Sequence, residues 1–391
     1  MPEGQTLAGS EVRALWPLSA GLTYLNHGGY GLTPKSVLRV QSRLKAEMER
    51  DPSQFVDVLE PRLLEARKAA AEALGASVED LVFVENATTG VNTVLQSITL
   101  PAGAEILIID HTYPAVRNAL KHKLASVGGR LVEVPLPWPM ASQEEILAVV
   151  ERAFTPRTAL AVFDLIASHT AIRFPVERLT ALARARNVPV LIDAAHAPGQ
   201  IPLDIPALGA DWVTGNLHKW YFAPRGCAVL WARTERQSRL HPTVISHGYG
   251  GGIAAEFNWT GTRDLTAWLS APAGFAFHNS LGGKALMERN RRLASDAASL
   301  LSDAWQTQVA GLPEQRAAMA SVRVPKVAAG AIAEFGRLLH DRLLNKHRIQ
   351  VPLFTIKGAL WLRISAQAYN DSSDYDRLAK AVLEEISALD R

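Results

Sequence analysis

Residues 188–231 read VPVLIDAAHAPGQIPLDIPALGADWVTGNLHKWYFAPRGCAVLW. Val188–Ile192 is a short apolar run that stops at Asp193. A second run, Asp211–Thr214, is followed by Gly215-Asn216-Leu217-His218-Lys219, and a third, Gly226–Trp231, closes the unit. Short apolar runs bounded by polar residues predict adjacent strands of a mainly buried sheet, with a helix-like segment after Asp193. Ligands of open α/β sheets bind outside the carboxyl ends of the strands. An acid at one such end and a lysine just past the next therefore mark a candidate site.

A lysine shielded from water loses part of its proton affinity and can form an imine with an aldehyde. Pyridoxal phosphate supplies such an aldehyde, and its ring nitrogen stays protonated only beside a carboxylate. Asp193 and Lys219 suit those two roles, with His196, Asn216 and His218 flanking them. Either residue alone would pass for a helix cap or a surface cation; the combination favours the cofactor.

Outward from this unit, further segments carry chemistry. Asn26-His27-Gly28-Gly29-Tyr30-Gly31 is a glycine-rich turn. A strand at Leu81–Val84 runs into Glu85-Asn86-Ala87-Thr88-Thr89 and a helix to about Ile98. Small hydroxyl residues at a helix start suit a phosphate, though Thr88 or Thr89 would serve equally as an N-cap. Tyr113 follows the strand Glu105–Ile109, where an aromatic ring can stack on a flat cofactor. Further strands are expected at Leu131–Pro135, Thr158–Leu165 and Leu360–Ser365. Helices are expected near Glu11–Trp16 and at Ser36–Arg50, Pro61–Leu74, Gln143–Ala153, Pro175–Asn187, Leu265–Leu281, Lys284–Trp305 and about 331–346. Arg363, within the strand Leu360–Ser365, can hold a carboxylate with two parallel hydrogen bonds.

Residues 193–220, DAAHAPGQIPLDIPALGADWVTGNLHKW, resemble the cofactor-lysine region of the class V aminotransferase superfamily, and within it the isopenicillin N epimerase-like group. The likeness runs from about Tyr24 to Asn370. It implies an α/β chain of the PLP-dependent transferase fold type I, with a large domain around a mainly parallel seven-stranded sheet and a smaller α+β C-terminal domain. It further implies that Lys219 carries the cofactor, that Asp193 meets its ring nitrogen and that His196 meets its phenolic oxygen. Tyr113 would stack on the ring. Ala87, Thr88, Thr89, Asn216 and His218 would hold the phosphate, together with Thr262 of a second subunit, so that a homodimer shares its active sites. Asn26, His27 and Tyr30 would line the substrate mouth, and Arg363 would bind the substrate carboxylate. The group has Asp-His-Ile-Thr-Ser-Pro-Thr-Ala where this chain has Asp164-Leu165-Ile166-Ala167-Ser168-His169-Thr170-Ala171. The departures at Leu165, Ala167 and His169 bear on the substrate, and His169 is a candidate contact to it.

The 391 residues exceed one compact core, so an arm (1–22), a large domain (23–264) and a small domain (265–391) are expected. A net charge of +3 without a basic stripe argues against nucleic acid. The single cysteine, Cys227, permits neither an intrachain disulfide nor a cysteine-rich metal site. His347–Ala359 contain no cysteine, which argues against persulfide chemistry of the desulfurase kind. With no apolar run of membrane length and no signal segment, the expectation is a cytoplasmic enzyme acting on an amino acid or short peptide at its α-carbon. Epimerisation leads; β-lyase, aminotransferase and PLP binding without turnover are the alternatives. A nicotinamide dehydrogenase lacks its glycine fingerprint after the first strand.

Overall fold

The computed structural model describes residues 9–325 and 332–389. Its strands are β1 (Thr23–Tyr24), β2 (Leu81–Val84), β3 (Glu105–Ile109), β4 (Arg130–Val134), β5 (Thr158–Asp164), β6 (Val190–Asp193), β7 (Trp212–Asn216), β8 (Ala228–Ala232), β9 (Met319–Arg323), β10 (Ile349–Gln350), β11 (Leu353–Ile356) and β12 (Ala359–Ser365). The central sheet has seven strands in the order β2-β8-β7-β6-β5-β3-β4, parallel except for β8. Strands of such a sheet are covered on both faces, and β5 to β8 are correspondingly apolar and buried throughout their centres. The expected adjacency of the three runs in 188–231 is thus observed as β6-β7-β8.

Residues 194–205 depart from expectation. They form turns rather than a helix, with one 3-10 turn at Pro206–Leu208. Pro198, Pro202 and Pro206 remove amide donors at intervals too short for an α-helix to form between them. Gly199 also has φ 81°, with the Trp220 backbone so close that a Cβ would meet it at 2.6 Å.

A second core lies around the antiparallel sheet β11-β12-β9 and the helices Lys284–Trp305, Ile332–Asn345 and Ser372–Leu389. The expected helix Leu265–Leu281 is two, Thr266–Leu269 and Ala271–Ser280, divided at Ser270 just before Pro272. Leu265, Trp268, Ala271 and Phe275 pack into the apolar cluster built on the central sheet, which also takes in Met287, Met319 and Trp361. The N-terminal segment crosses the other way: β1 pairs in parallel with β10 of the small domain. Among the described residues no helix is long and apolar enough to span a membrane.

Candidate active site

The carboxyl ends of β5, β6 and β7 deliver Asp164, Asp193 and Asn216 to one cavity of about 180 Å³. The turns after β2, β3 and β7 add Thr88, Tyr113 and Lys219. Residues more than a hundred positions apart meet because parallel strands place successive loops at the same sheet edge.

Lys219 is 8% exposed, and its Nζ lies 3.1 Å from His196 Nε2. Burial, with the Arg363 charge added, brings its ammonium down to about 7, while Asp193 opposes the shift. His196 is held well below its ordinary value by burial and by Lys219, so its ring is neutral. His196 Nδ1 is buried without a partner. Burial raises Asp193, against the Ala195 N–H that donates to Oδ1 at 2.9 Å and against Lys219. A dry site holding a low-affinity amine, a neutral imidazole and a carboxylate with one protein donor fits the functional groups of pyridoxal phosphate.

The helix Ala87–Ser97 presents its N-terminus to the cavity. Its N-cap is Asn86, whose Oδ1 accepts from Thr89 N at 2.9 Å, rather than either threonine. Asn216 Oδ1 accepts from Ala87 N at 2.9 Å, and Gly90 N donates to Asn86 O. These bonds engage Ala87, Thr89 and Gly90, and the Thr88 N–H is left at the cavity wall, where a helix start favours an anion. Of the three expected residues, Thr88 and Ala87 line the cavity and Thr89 does not. His218 Nδ1 donates to Cys227 O at 3.1 Å, which fixes the tautomer and leaves Nε2 free. Burial and then Lys219 bring His218 to about 4.

Of the five residues expected to meet the substrate, Tyr30, at 68% exposure, lines this cavity, whereas Asn26, His27, His169 and Arg363 are not among its lining residues. His27 points inward: its Nε2 donates to the Lys219 carbonyl at 2.9 Å, and its Nδ1 accepts from Tyr369 Oη at 2.9 Å. Fully buried and held near 3 by burial, it is a support for the lysine rather than a lining residue. Asn26 Oδ1 accepts from Arg363 Nη2 at 3.0 Å. Arg363 is 2% exposed, also donates to the Ser168 carbonyl, lies 5.4 Å over the Phe354 ring and is lowered to about 10 by burial. Its Nε has no partner, an unfilled donor suited to a carboxylate.

Among the departures in 164–171, Leu165 and Ala167 are core residues outside the cavity lining, whereas Ile166, also in the core, and Ser168 line the cavity. His169 stacks on Phe354 at 4.2 Å and meets Tyr113 edge-on at 6.4 Å. Burial and Arg363 bring it to about 4. Thr262 is exposed and lies outside the cavity of its own chain. Asp164 and Ser168 are site residues that sequence reasoning did not single out. Asp164 carried the same signal as Asp193, an acid closing an apolar run.

The family profile described as aminotransferase class-V matches residues 23–378. The chain is 33% identical over 401 residues to putative L-cysteine desulfhydrase 1 of Oryza sativa subsp. japonica, covering 93% of this chain and 83% of that one. It is 33% identical over 392 residues to isopenicillin N epimerase of Amycolatopsis lactamdurans, covering 94% and 96%. A cystine C–S lyase structure holding cysteine persulfide superposes with TM-score 0.79 at 21% identity, covering 93% of this chain and 97% of the other. A cysteine desulfurase from Thermococcus onnurineus NA1 superposes with TM-score 0.81 at 19% identity, covering 98% of each.

Proposed function

The chain belongs to the class V aminotransferase family, and on that premise we propose that it is a pyridoxal-phosphate enzyme that epimerises or racemises an amino acid or short peptide at its α-carbon. The observation that carries the reading is the buried Lys219 amine, brought to about 7 beside a neutral His196 and the Asp193 carboxylate. When bound, the cofactor takes up the electron pair left by a breaking bond at Cα. Lys219 would carry it, Asp193 would meet its ring nitrogen, and Thr88, Asn216 and His218 would hold its phosphate. Arg363 binds the substrate carboxylate and thereby orients the Cα–H bond. Lys219 accepts the α-proton. Epimerisation also needs a proton donor away from Lys219. Tyr113, which lines the cavity, is the donor on the side away from Lys219, since it follows β3 and Lys219 follows β7, on either side of the β5–β6 pair. Exposure of Thr262 outside its own cavity supports a homodimer in which it reaches the partner's cofactor phosphate.

A β-elimination of cysteine is the second reading. Plant relatives carry the name L-cysteine desulfhydrase. An amino-acid panel in deuterated solvent separates the two. Inverted, α-deuterated amino acid is expected; pyruvate and sulfide from cysteine, with no inversion of any substrate, would replace the epimerase by the lyase. Absence of α-exchange throughout the panel would remove both.

A further inference from the structure

Two acids stand side by side at the sheet edge of the cavity. Asp164 ends β5 and Asp193 ends β6, and the two are register partners on neighbouring parallel strands. Such strands lie about 4.8 Å apart, so side chains leaving them at the same level are within mutual reach. Both residues are buried, at 3% and 4% exposure, and both line the cavity. Their surroundings are unequal. Asp193 accepts the Ala195 N–H and feels the Lys219 charge. Asp164 Oδ2 is buried without a partner. Around Asp164 stand Asp193, the Thr112 hydroxyl, the Tyr113 amide and Arg117. Arg117 donates through Nη2 to Glu133 at 2.6 Å and to the Asp110 carbonyl at 3.3 Å, and its Nε is buried without a partner. Two neighbouring buried carboxylates do not both carry charge. Burial, then Asp193, raises the Asp164 carboxyl well above its ordinary value, against the Thr112 hydroxyl, the Tyr113 amide and Arg117, which favour its charged form.

We propose that Asp164 is a neutral carboxylic acid that donates its proton in a hydrogen bond to the Asp193 carboxylate, a positioning residue that aims Asp193 at the cofactor. The aim toward the cofactor rests on the function proposed above; the acid pair does not. Asp164 touches no reacting atom in this role. Its proton fixes which Asp193 oxygen is free.

The test compares Asp164→Asn, which keeps a donor without a charge, with Asp164→Leu, which removes the donor. In cofactor-free protein at pH 7, the infrared stretch of a protonated carboxyl is expected in wild type and lost in Asp164→Asn. A neutral acid raised by burial contributes stability that is full below the unfolded value, about 3.9, and is lost as pH rises through the folded value. Asp164→Asn is therefore expected to gain stability relative to wild type as pH rises, read by denaturant unfolding of the cofactor-free protein. On reconstitution, Asp164→Asn should retain pyridoxal phosphate within about threefold of wild type, and Asp164→Leu should bind at least about tenfold more weakly. An unchanged carboxyl band in Asp164→Asn would overturn the acid pair. Equal weakening by both variants would overturn the positioning role. Wild type that takes up no pyridoxal phosphate would remove the proposed function and the positioning role together, and the infrared result would still decide the acid pair.

Discussion

The amine of Lys219 is poised by its surroundings to exchange protons near neutral pH. Its ammonium, brought to about 7, is deprotonated in growing fraction as pH rises through that value. Cofactor loading onto Lys219 of the free enzyme should therefore accelerate from pH 6 to 8 and level off above, in stopped-flow absorbance. Lys219→Ala should lose the borohydride-fixed cofactor and slow α-proton exchange by at least about 10²-fold, as measured by NMR in deuterated solvent. Tyr369→Phe removes the hydroxyl donor to His27 and should cost about 1 kcal/mol in urea unfolding. The chemical roles of Asp193 and Lys219 were legible because each closes or follows an apolar run. Asp164 was equally legible by that rule. The inward turn of His27 was not, since the order His-Gly-Gly-Tyr does not say which side of a four-residue helical turn meets Tyr369, 342 positions away.

At the level of elements, the β11–β12 hairpin closes over the segment 166–169. Its tip is tied by Lys357 to Asp110 at 2.9 Å, and Phe354 lies against both His169 and Arg363. Phe354→Ala removes a cation–π contact worth about 1–2 kcal/mol in a desolvated setting. It should raise KM for carboxylate substrates about tenfold while leaving cofactor affinity within about twofold, read by steady-state kinetics beside cofactor titration. Long amphipathic helices such as Gln143–Ala153, with its Ser142–Glu145 capping box, were readable to the residue. The helix Ser372–Leu389 was not named, although Tyr375, Leu378, Val382 and Ile386 recur at helical spacing. The turns at 194–205 misled because alanines promote a helix that three prolines forbid.

Over the whole molecule, buried apolar side chains gather mainly around the central sheet and the small antiparallel sheet. In the small domain, Glu385 is buried and accepts from Lys346, His347 and Arg342. Burial opposes and these donors outweigh it, holding the carboxyl down to about 2. A lowered folded value contributes stability above the ordinary carboxylate range and loses it as pH falls toward 2. Glu385→Gln should thus cost about 1–2 kcal/mol at pH 7, discounted because Arg342 and Lys346 are partly solvated, and the difference should fade below pH 4 in unfolding titrations. The individual strands of the central sheet were legible as apolar runs, and their joining into one mainly parallel seven-stranded sheet was implied by the family resemblance.

The pairing of β1 with β10 turns residues 24–31 into a strut. One end is fixed in the small domain, Asn26 grips Arg363, His27 holds the Lys219 carbonyl, and Gly31 passes the His218 carbonyl so closely that a Cβ would stand 1.9 Å from it. Eight consecutive residues thus join the small domain, the Arg363 guanidinium and the backbone on either side of the Lys219 amine, so a displacement of any one of the three has this segment as its shortest covalent path to the others.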